Sequence, residues 1–337
     1  MPQPPPLITA RGLSRTFDTK DGPVHAVRTV DLDVAVGEIV GVLGPNGAGK
    51  TTTMRMLTTL LRPTGGEATV AGHDLLDDPV SVRRSIGYVA QSDSALAEAI
   101  VGEELILQAR LFGVSKAIAA RRAAELLTTL DLPVVERRAY GSLSGGQRRR
   151  VDIVGGLIHQ PRLIFLDEPT SGLDPQSRAN LWDHLRKLRA DGTTVVLTTH
   201  YLDEADALCD RLLVLDHGAV IAAGTPAELK ARIAGDVISV DVDGDPAEAA
   251  RIAGEVATVR QTLVDGARVN LTVQRGDEAV VPILRSLDAA GVALQAIAVK
   301  RPSLDDVFLA LTGRTLREAD ESNAAPAGPA DREGVLQ

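Results

Sequence analysis

The amino-acid sequence predicts an α/β protein with a parallel sheet between helices, followed by a smaller α+β domain. Three observations predict this fold class. Between residues 39 and 222, short apolar runs typical of buried strands alternate with segments of helical periodicity. A glycine-rich stretch joins the first of these runs to a helix. Beyond residue 235 the predicted order becomes strand, helix, strand, strand, helix, strand, as in a ferredoxin-like unit.

Length and composition narrow the possible functions. A chain of 337 residues can form two domains, with a large core in the first. The net charge of −9 disfavours a nucleic-acid-binding protein, which would present a basic face, so we predict no nucleic-acid partner. No apolar run reaches the ~20 residues of a membrane span, and residues 1–6 lack a signal-peptide pattern. We therefore expect a cytoplasmic protein that reaches the membrane only through a partner.

The N-terminal part predicts an antiparallel sheet ahead of the α/β core. Residues 1–6 are proline-rich and are expected to be disordered. Strands are predicted over residues 7–17 and 24–36, and apolar and acidic side chains alternate in the second. Phe17 ends the first strand and could stack on an adenine ring, a contact worth about 1–3 kcal/mol. A place in the core suits this side chain almost equally well.

The glycine-rich stretch fits the phosphate-binding template G-x-x-x-x-G-K-[ST]. It follows a predicted strand over residues 39–43 and precedes a helix over residues 52–61, so backbone N–H groups and the helix dipole favour an anion. Lys50 would reach the β- and γ-phosphates of a nucleoside triphosphate, and the Thr51 hydroxyl would coordinate Mg²⁺. The predicted nucleotide-binding residues here are Gly44, Pro45, Asn46, Gly47, Ala48, Gly49, Lys50, Thr51 and Thr52.

A second glycine cluster follows a helical insert. Apolar residues recur at steps of three and four, which predicts helices in an insert over about residues 98–142. The cluster opens a predicted helix over residues 148–159. It is either a second anion site at a helix N-terminus or a simple N-cap, and the pattern alone does not decide between them. Its residues are Ser144, Gly145, Gly146 and Gln147.

Two carboxylates stand at the end of a buried strand. The apolar strand predicted over residues 163–166 runs into Asp167 and Glu168. Adjacent side chains of a strand point to opposite sides, so the two should have different roles, one in binding Mg²⁺ and one in activating water.

Other polar residues also stand at predicted element ends. Gln91 and His200 each follow an apolar strand, and Asp174 is placed to cap a helix. His25, His73 and His159 show no metal-ligand spacing and are expected at the surface.

These motifs together resemble the ATP-binding subunits of ABC transporters over roughly residues 7–232. The likeness implies a P-loop NTPase core with an N-terminal antiparallel β-subdomain and a helical subdomain. A stretch at residues 198–205, the arginines after the signature and residues 302–309 resemble the daunorubicin-resistance branch of type-2 exporters. The motifs occur in the family's order: Walker A (residues 44–51), Q-loop (Gln91), signature (residues 143–147), Walker B (residues 163–168), D-loop (residues 171–174) and H-loop (His200).

The resemblance implies a competent ATPase with ATP and Mg²⁺ as its cofactors. Lys50 would hold the phosphates, and Thr51, Gln91 and Asp167 would hold Mg²⁺. Glu168 would be the general base for the attacking water, and His200 would contact the γ-phosphate. Phe17 stands where the family places its adenine-stacking aromatic residue.

The resemblance also implies two partners. In this family the signature residues and Asp174 close over ATP held by a second subunit, so we expect an ATP-sandwich dimer with a second copy. A separate multi-span membrane permease is the other expected partner, with the chain peripheral on the inner face of the cell membrane. Alternatives left open are a soluble ABC ATPase acting on a non-transport complex, an importer ATPase, and an exporter of lipid or polysaccharide rather than drugs.

The C-terminal third predicts an accessory domain over residues 236–313. Its strands and helices have the ferredoxin-like order, and Asp265 with Gly266 predicts a hairpin turn. We assign it no chemistry. Residues 318–337 are rich in alanine, proline and acid and are expected to form a disordered tail.

Overall fold

A computed structural model describes residues 5–20, 22–92, 95–233, 236–300, 302–313 and 316. Contacts divide the described chain into two compact units that meet in sequence at Ala223 and Gly224. The expected disordered ends fall on residues 1–4 and 318–337, outside the described residues, while Pro5 and Pro6 are exposed.

The first unit is built on one ten-stranded sheet. The strands are β1 (Ile8–Thr19), β2 (Gly22–Val34), β3 (Ile39–Leu43), β4 (Gly65–Val70), β5 (His73–Asp74), β6 (Ile86–Val89), β7 (Leu163–Asp167), β8 (Thr194–Thr199), β9 (Arg211–Asp216) and β10 (Ala219–Gly224). Their order in the sheet is β5-β4-β1-β2-β10-β9-β3-β8-β7-β6. The strands at one end pair antiparallel, and β3, β6, β7, β8 and β9 form the parallel core. The predicted antiparallel sheet ahead of an α/β core is therefore present.

Helices connect the strands of this unit. The predicted insert contains two of these helices. Another helix of the unit, at residues 202–208, is not predicted from the sequence. A shared hydrophobic core joins the antiparallel strands to β3, β7, β8 and the first helix. The helices are α1 (Lys50–Leu57), α2 (Pro79–Ser85), α3 (Val101–Leu111), α4 (Lys116–Thr129), α5 (Gly145–Leu157), α6 (Pro175–Ala190) and α7 (Leu202–Leu208).

The second unit has the predicted ferredoxin-like order. The elements are α8 (Pro226–Ile233), β11 (Asp236–Asp243), α9 (Pro246–Gly254), β12 (Val259–Asp265), β13 (Arg268–Val273), α10 (Gly276–Ala289), β14 (Ala293–Lys300) and α11 (Leu304–Thr312). The antiparallel sheet has the order β12-β13-β11-β14, and α9 and α10 supply the helical side of the core. The additional helix α8 precedes the ferredoxin-like pattern and packs with α11.

None of the helices in the described part of the chain is both long enough and apolar enough to cross a membrane.

Candidate functional site

The phosphate-binding loop connects β3 to α1 and needs its glycines. Gly47 and Gly49 have φ angles of 79° and 102°, which side-chain-bearing residues rarely adopt. A Cβ atom on Gly44 would lie 2.4 Å from the Leu215 carbonyl oxygen, and one on Gly49 would lie 2.6 Å from that of Ala26. The loop is therefore packed so closely against β2 and β9 that only glycine fits at these two positions.

A cavity of about 280 Å³ lies over this loop. It brings together residues from the loop, the start of α1, the segment after β6 and the turn after β7. Of the predicted signature residues, 144–147, none is among the described residues that line it. The lining residues are Ala26, Pro45, Asn46, Gly47, Gly49, Lys50, Thr51, Thr52, Gln91 and Glu168.

Lys50 is buried at the floor of this cavity. Its Nζ atom donates hydrogen bonds to the carbonyl oxygens of Gly44 at 2.7 Å and Pro45 at 3.2 Å. The same atom lies 3.5 Å from Oε1 of Glu168. The ammonium group is thus held between the loop and a carboxylate, at the place where an anion on the loop would meet it.

Asp167 is the last residue of β7, and its carboxylate accepts hydrogen bonds from two hydroxyl groups. Thr51 Oγ1 donates to Asp167 Oδ1 at 3.0 Å, and Thr198 Oγ1 donates to the same oxygen at 2.5 Å. The Asp167 side chain is 1% exposed. A buried carboxylate beside a threonine hydroxyl is a set of hard oxygen donors, which is the kind of set that Mg²⁺ prefers.

Glu168 has an unusual backbone conformation. Its φ angle is 45°, in the left-handed region, where a residue other than glycine costs of order 1–3 kcal/mol. Its backbone N–H donates to Thr198 Oγ1 at 3.0 Å. The left-handed residue turns the chain sharply after β7, so the Glu168 side chain lies in the cavity over the phosphate loop.

Three predicted site residues surround the Glu168 carboxylate. Gln91 Nε2 donates to Oε2 at 3.0 Å, and Lys50 lies on the Oε1 side. His200 Nδ1 is 3.2 Å from Oε1, although its ring lacks the alignment of a hydrogen bond. Burial raises the pKa of Glu168, but His200 and Lys50 outweigh it and hold the pKa below its ordinary value.

His200 also contacts the ring of Tyr201. The two ring centroids lie 4.1 Å apart with the planes tilted by 43°, and the Arg178 guanidinium lies 4.1 Å from the Tyr201 centroid. Because Arg178 is on α6, these contacts connect α6 to the histidine beside Glu168.

The signature residues form a complete cap on α5. Ser144 Oγ accepts from the Gln147 backbone N–H at 3.3 Å, and Gln147 Oε1 accepts from the Ser144 N–H at 3.1 Å. A Cβ atom on Gly146 would lie 2.9 Å from Ser177 Oγ, so the starts of α5 and α6 pack closely. The N-cap role that the sequence left open for Ser144 is therefore present in this chain.

Asp174 caps α6 as predicted. Its Oδ1 accepts from the Ser177 N–H at 2.9 Å and its Oδ2 from the Ser177 hydroxyl at 2.6 Å. These hydrogen bonds lower the pKa of Asp174. A D-loop carboxylate thus stays ionised beside the start of the signature helix.

Phe17 lies on β1, half-buried, and is not among the described residues that line the cavity. The Arg15 guanidinium lies 4.5 Å from its ring centroid. One face of the ring is therefore already in a cation–π contact.

Sequence reasoning missed some contributors and misplaced one histidine. Thr198 lies in a β-branched strand and Ala26 on β2, and neither belongs to a loop pattern that marks a site. The structure buries Arg149, which in the sequence is only one of three consecutive arginines. His159 was expected at the surface, which is wrong: it is half-buried and stacks on Phe112 with ring centroids 3.8 Å apart.

No cluster of three or more histidine, cysteine or acidic side chains in the described ranges could hold a metal ion. A cation at the loop would therefore depend on hydroxyl, amide and phosphate oxygens as well as on Asp167.

Two family profiles match the chain. The family described as "ABC transporter" matches residues 27–171, which include the phosphate loop, Gln91, the signature and the Asp167–Glu168 pair. The family described as "ATP-binding protein DrrA1-3-like, C-terminal domain" matches residues 224–312, which nearly coincide with the second unit.

Curated relatives match over almost their whole length. The daunorubicin resistance ATP-binding protein DrrA3 of Streptomyces coeruleorubidus is 45% identical over 319 residues, covering 93% of this chain and 98% of the relative. The doxorubicin resistance ATP-binding protein DrrA of Mycobacterium tuberculosis is 43% identical over 312 residues, covering 90% of this chain and 93% of the relative.

Solved structures of ATP-binding cassettes share the fold of the first unit. A dimeric post-hydrolysis state of the cassette MJ0796 with ADP and phosphate has a TM-score of 0.60 and 28% identity, covering 65% of this chain and 98% of that one. The phosphate loop, the Asp167–Glu168 turn, the profiles and the relatives all agree: this chain belongs to the ATP-binding subunits of ABC transporters and is an ATPase of the branch that contains the daunorubicin and doxorubicin resistance proteins.

Proposed function

We propose that this chain hydrolyses ATP at the cavity over its phosphate loop and thereby powers a drug-type exporter through a separate membrane subunit. The observation that carries the proposal is the position of Glu168. Its carboxylate lies in that cavity between Gln91, Lys50 and His200, with a pKa held below its ordinary value.

The carboxylate environment supports a general-base role for Glu168. Glu168 is ionised near neutral pH, so its carboxylate can accept a proton from water held beside it, and the lowered pKa makes it a weaker base than an ordinary glutamate. Lys50 would stabilise the charge on the phosphates together with the N–H groups of the loop. His200, in contact with the Tyr201 ring, would contact the γ-phosphate.

The oxygen donors at the loop fit Mg²⁺. The ion would be held by the Thr51 hydroxyl, by Asp167 and, partly through water, by the amide oxygen of Gln91. Bound there, it would neutralise negative charge on the phosphates. The 3.0 Å hydrogen bond from Thr51 to Asp167 supports this set, because it holds two of the ligand groups together.

The cavity alone makes an incomplete site, which supports a dimer. Its described lining includes no signature residue, and Ser144 instead caps its own helix. We propose that a second copy supplies Ser144, Gly145, Gly146 and Gln147 to complete the site, with Asp174 in the same interface. The γ-phosphate would then be the contact that distinguishes the closed pair from the open one. The Phe17 ring is the proposed platform for the adenine ring.

The proposed role in transport across the membrane rests on the similarity to the relatives. Two of them are named as doxorubicin and daunorubicin resistance proteins, and we propose cargo of that kind for the exporter that this chain serves. We place the chain at the inner face of the cell membrane, bound to a multi-span permease, because it belongs to the ATP-binding subunits of ABC transporters.

Affinity purification from detergent-solubilised host membranes tests this proposal. A tagged chain should recover a multi-span membrane protein in approximately equal amount, and the purified complex should hydrolyse ATP. The tag expressed alone serves as the control. Repeated recovery of soluble partners only, with ATPase activity retained, would contradict the exporter while leaving the ATPase in place.

A further inference from the structure

Arg149 is a buried arginine in the second turn of α5. Its side chain is 8% exposed and donates hydrogen bonds to backbone carbonyl oxygens in two separate segments. Nε donates to Pro169 O at 3.0 Å, Nη2 to Asp167 O at 2.6 Å and Nη1 to Ala90 O at 2.5 Å. One guanidinium thus joins α5 to the turn after β7 and to Ala90, the residue directly after β6.

The three carbonyls belong to the residues that flank the reactive groups. Asp167 and Pro169 stand on either side of Glu168, and Ala90 immediately precedes Gln91, whose amide donates to the Glu168 carboxylate at 3.0 Å. The left-handed conformation of Glu168 persists only if its surroundings determine it, and hydrogen bonds to both neighbouring carbonyls do so.

Packing alone does not account for an arginine here. A buried charge is unfavourable unless it is paired and hydrogen-bonded, and an apolar side chain of similar length could fill the same space. Burial lowers the pKa of Arg149, whereas the nearby carboxylates of Asp152 and Asp167 oppose that shift. The guanidinium, with five donors in a planar fork, matches three carbonyls that a lysine ammonium could not reach in the same geometry.

We propose that Arg149 is the positioning residue that fixes Glu168 and Gln91 relative to each other and connects both to the signature helix. The proposal rests on the ATPase function argued above. α5 begins directly after its cap Ser144, so a displacement of the helix start by a second subunit would reach the Glu168 turn through the Arg149 side chain. Arg149 itself contacts no reacting atom in this role.

Two variants test the proposal in the full-length chain. Arg149→Lys keeps the charge without the fork, and Arg149→Met keeps most of the volume without the charge. A small misplacement of catalytic groups costs up to about 100-fold in rate, so we expect kcat for ATP to fall by about 10- to 100-fold in both variants. KM and the affinity for ATP, measured by titration with a fluorescent ATP analogue, should change less than about 2-fold, because the phosphate loop is untouched.

Hydrogen exchange gives a second readout that a purely structural role would not produce. In Arg149→Lys, backbone exchange should accelerate around residues 90–91 and 168–170 while the rest of the first unit stays protected. The matched control is Arg186→Met, because Arg186 also donates to a backbone carbonyl, that of Ala207 at 3.0 Å, but lies on α6 away from the loop cavity. This control should retain kcat and its exchange pattern.

The other possible outcomes contradict either the role of Arg149 or the ATPase function on which it rests. Unchanged kcat in both variants overturns the proposal. A parallel loss of ATP affinity, of protection from hydrogen exchange throughout the first unit, or of folding also overturns it, because Arg149 would then be a structural residue. If the wild-type chain binds ATP but neither it nor its complex hydrolyses it, the proposed function fails instead. The exchange experiment still tests the contact between Arg149 and the two segments in that case.

Discussion

Thr198 and Asp167 face each other across β7 and β8, and the Thr198 hydroxyl donates to the Asp167 carboxylate at 2.5 Å. The same hydroxyl oxygen accepts the backbone N–H of Glu168 at 3.0 Å. One buried threonine therefore holds in position both the carboxylate that is expected to bind Mg²⁺ and the backbone of the expected general base. Neither contact involves an atom that would touch the nucleotide.

Thr198→Val tests this link because valine has the shape of threonine without the hydroxyl. The change leaves a buried N–H and a carboxylate oxygen each short of a partner, so we expect the free energy of unfolding to fall by about 1–3 kcal/mol. Activity should fall as well, since Glu168 loses one restraint on its strained backbone. Thermal or denaturant unfolding with ATPase assays measures both effects.

Thr128→Val is the matched control for that experiment. Thr128 is exposed on α4 and its hydroxyl donates to Ala124 O at 2.8 Å, far along the chain from the site. We expect its unfolding free energy to change by less than about 0.5 kcal/mol. Equal destabilisation by the two changes would show that the Thr198 hydroxyl has no special role.

Glu168→Gln separates binding from hydrolysis. The amide keeps the size of the side chain but cannot accept a proton, and a positioned base contributes about 10²–10⁴-fold, so turnover should fall by that factor while ATP stays bound. With MgATP the variant should elute as a stable dimer in size-exclusion chromatography, and with MgADP as a monomer. A persistent monomer with saturating MgATP would count against the proposed sandwich.

The lowered pKa of Glu168 predicts a pH dependence with a definite sign. Because the folded state favours the ionised form, this carboxylate adds stability above the unfolded value of about 4.5, and the contribution is lost as pH falls through the lower folded value. Glu168→Gln should therefore flatten the acid side of the stability curve, measured by urea unfolding at several pH values. An unchanged acid slope in the variant would assign the dependence to other groups.

The site could be predicted from the sequence where its residues are consecutive next to a strand or belong to a recognisable family motif. The phosphate loop and the Asp167–Glu168 pair follow from consecutive residues next to a strand, and the structure brings Lys50, Gln91 and Glu168 to one cavity. The left-handed backbone of Glu168 and its hydrogen bond to Thr198 depend on which strand lies beside β7. No local pattern contains that information.

The unpredicted α7 shows the same limit for secondary structure. This helix has only seven residues, and its Glu204 is fully buried, where it accepts a hydrogen bond from Trp182 Nε1 at 3.1 Å. A charged residue on the inner side of a short helix interrupts the apolar periodicity that identifies longer helices. Burial raises the pKa of Glu204, so tertiary packing changes the character of a residue that looks solvent-facing in the sequence.

Tyr201→Leu tests whether the contact between the Tyr201 and His200 rings supports the histidine. The change removes the contact with the histidine ring and the cation–π contact with Arg178, which together are worth about 1–2 kcal/mol. We expect a loss of stability of that size and a several-fold lower kcat with ATP affinity retained. Tyr201→Phe keeps the ring and is the matched control, which should behave as the wild type. Equal activity of the leucine and phenylalanine variants would contradict a supporting role for the ring.

Gly49→Ala tests whether close packing of the phosphate loop is needed for nucleotide binding. Alanine would have to adopt a φ angle of 102° and would place its Cβ 2.6 Å from the Ala26 carbonyl oxygen. Strain of about 1–3 kcal/mol can relax only by moving the loop, so we expect ATP affinity to fall by at least about 10-fold, measured by calorimetric titration.

Gly113→Ala is the control for Gly49→Ala, because it introduces a similar backbone strain away from the phosphate loop. Gly113 has a comparable φ angle of 82°, but a Cβ atom there meets nothing within 4 Å, and it follows α3, outside the loop. This variant should lose about 1 kcal/mol of stability and keep its affinity for ATP. If both variants bound ATP as the wild type does, the tight contact between the loop and β2 would not be required for binding.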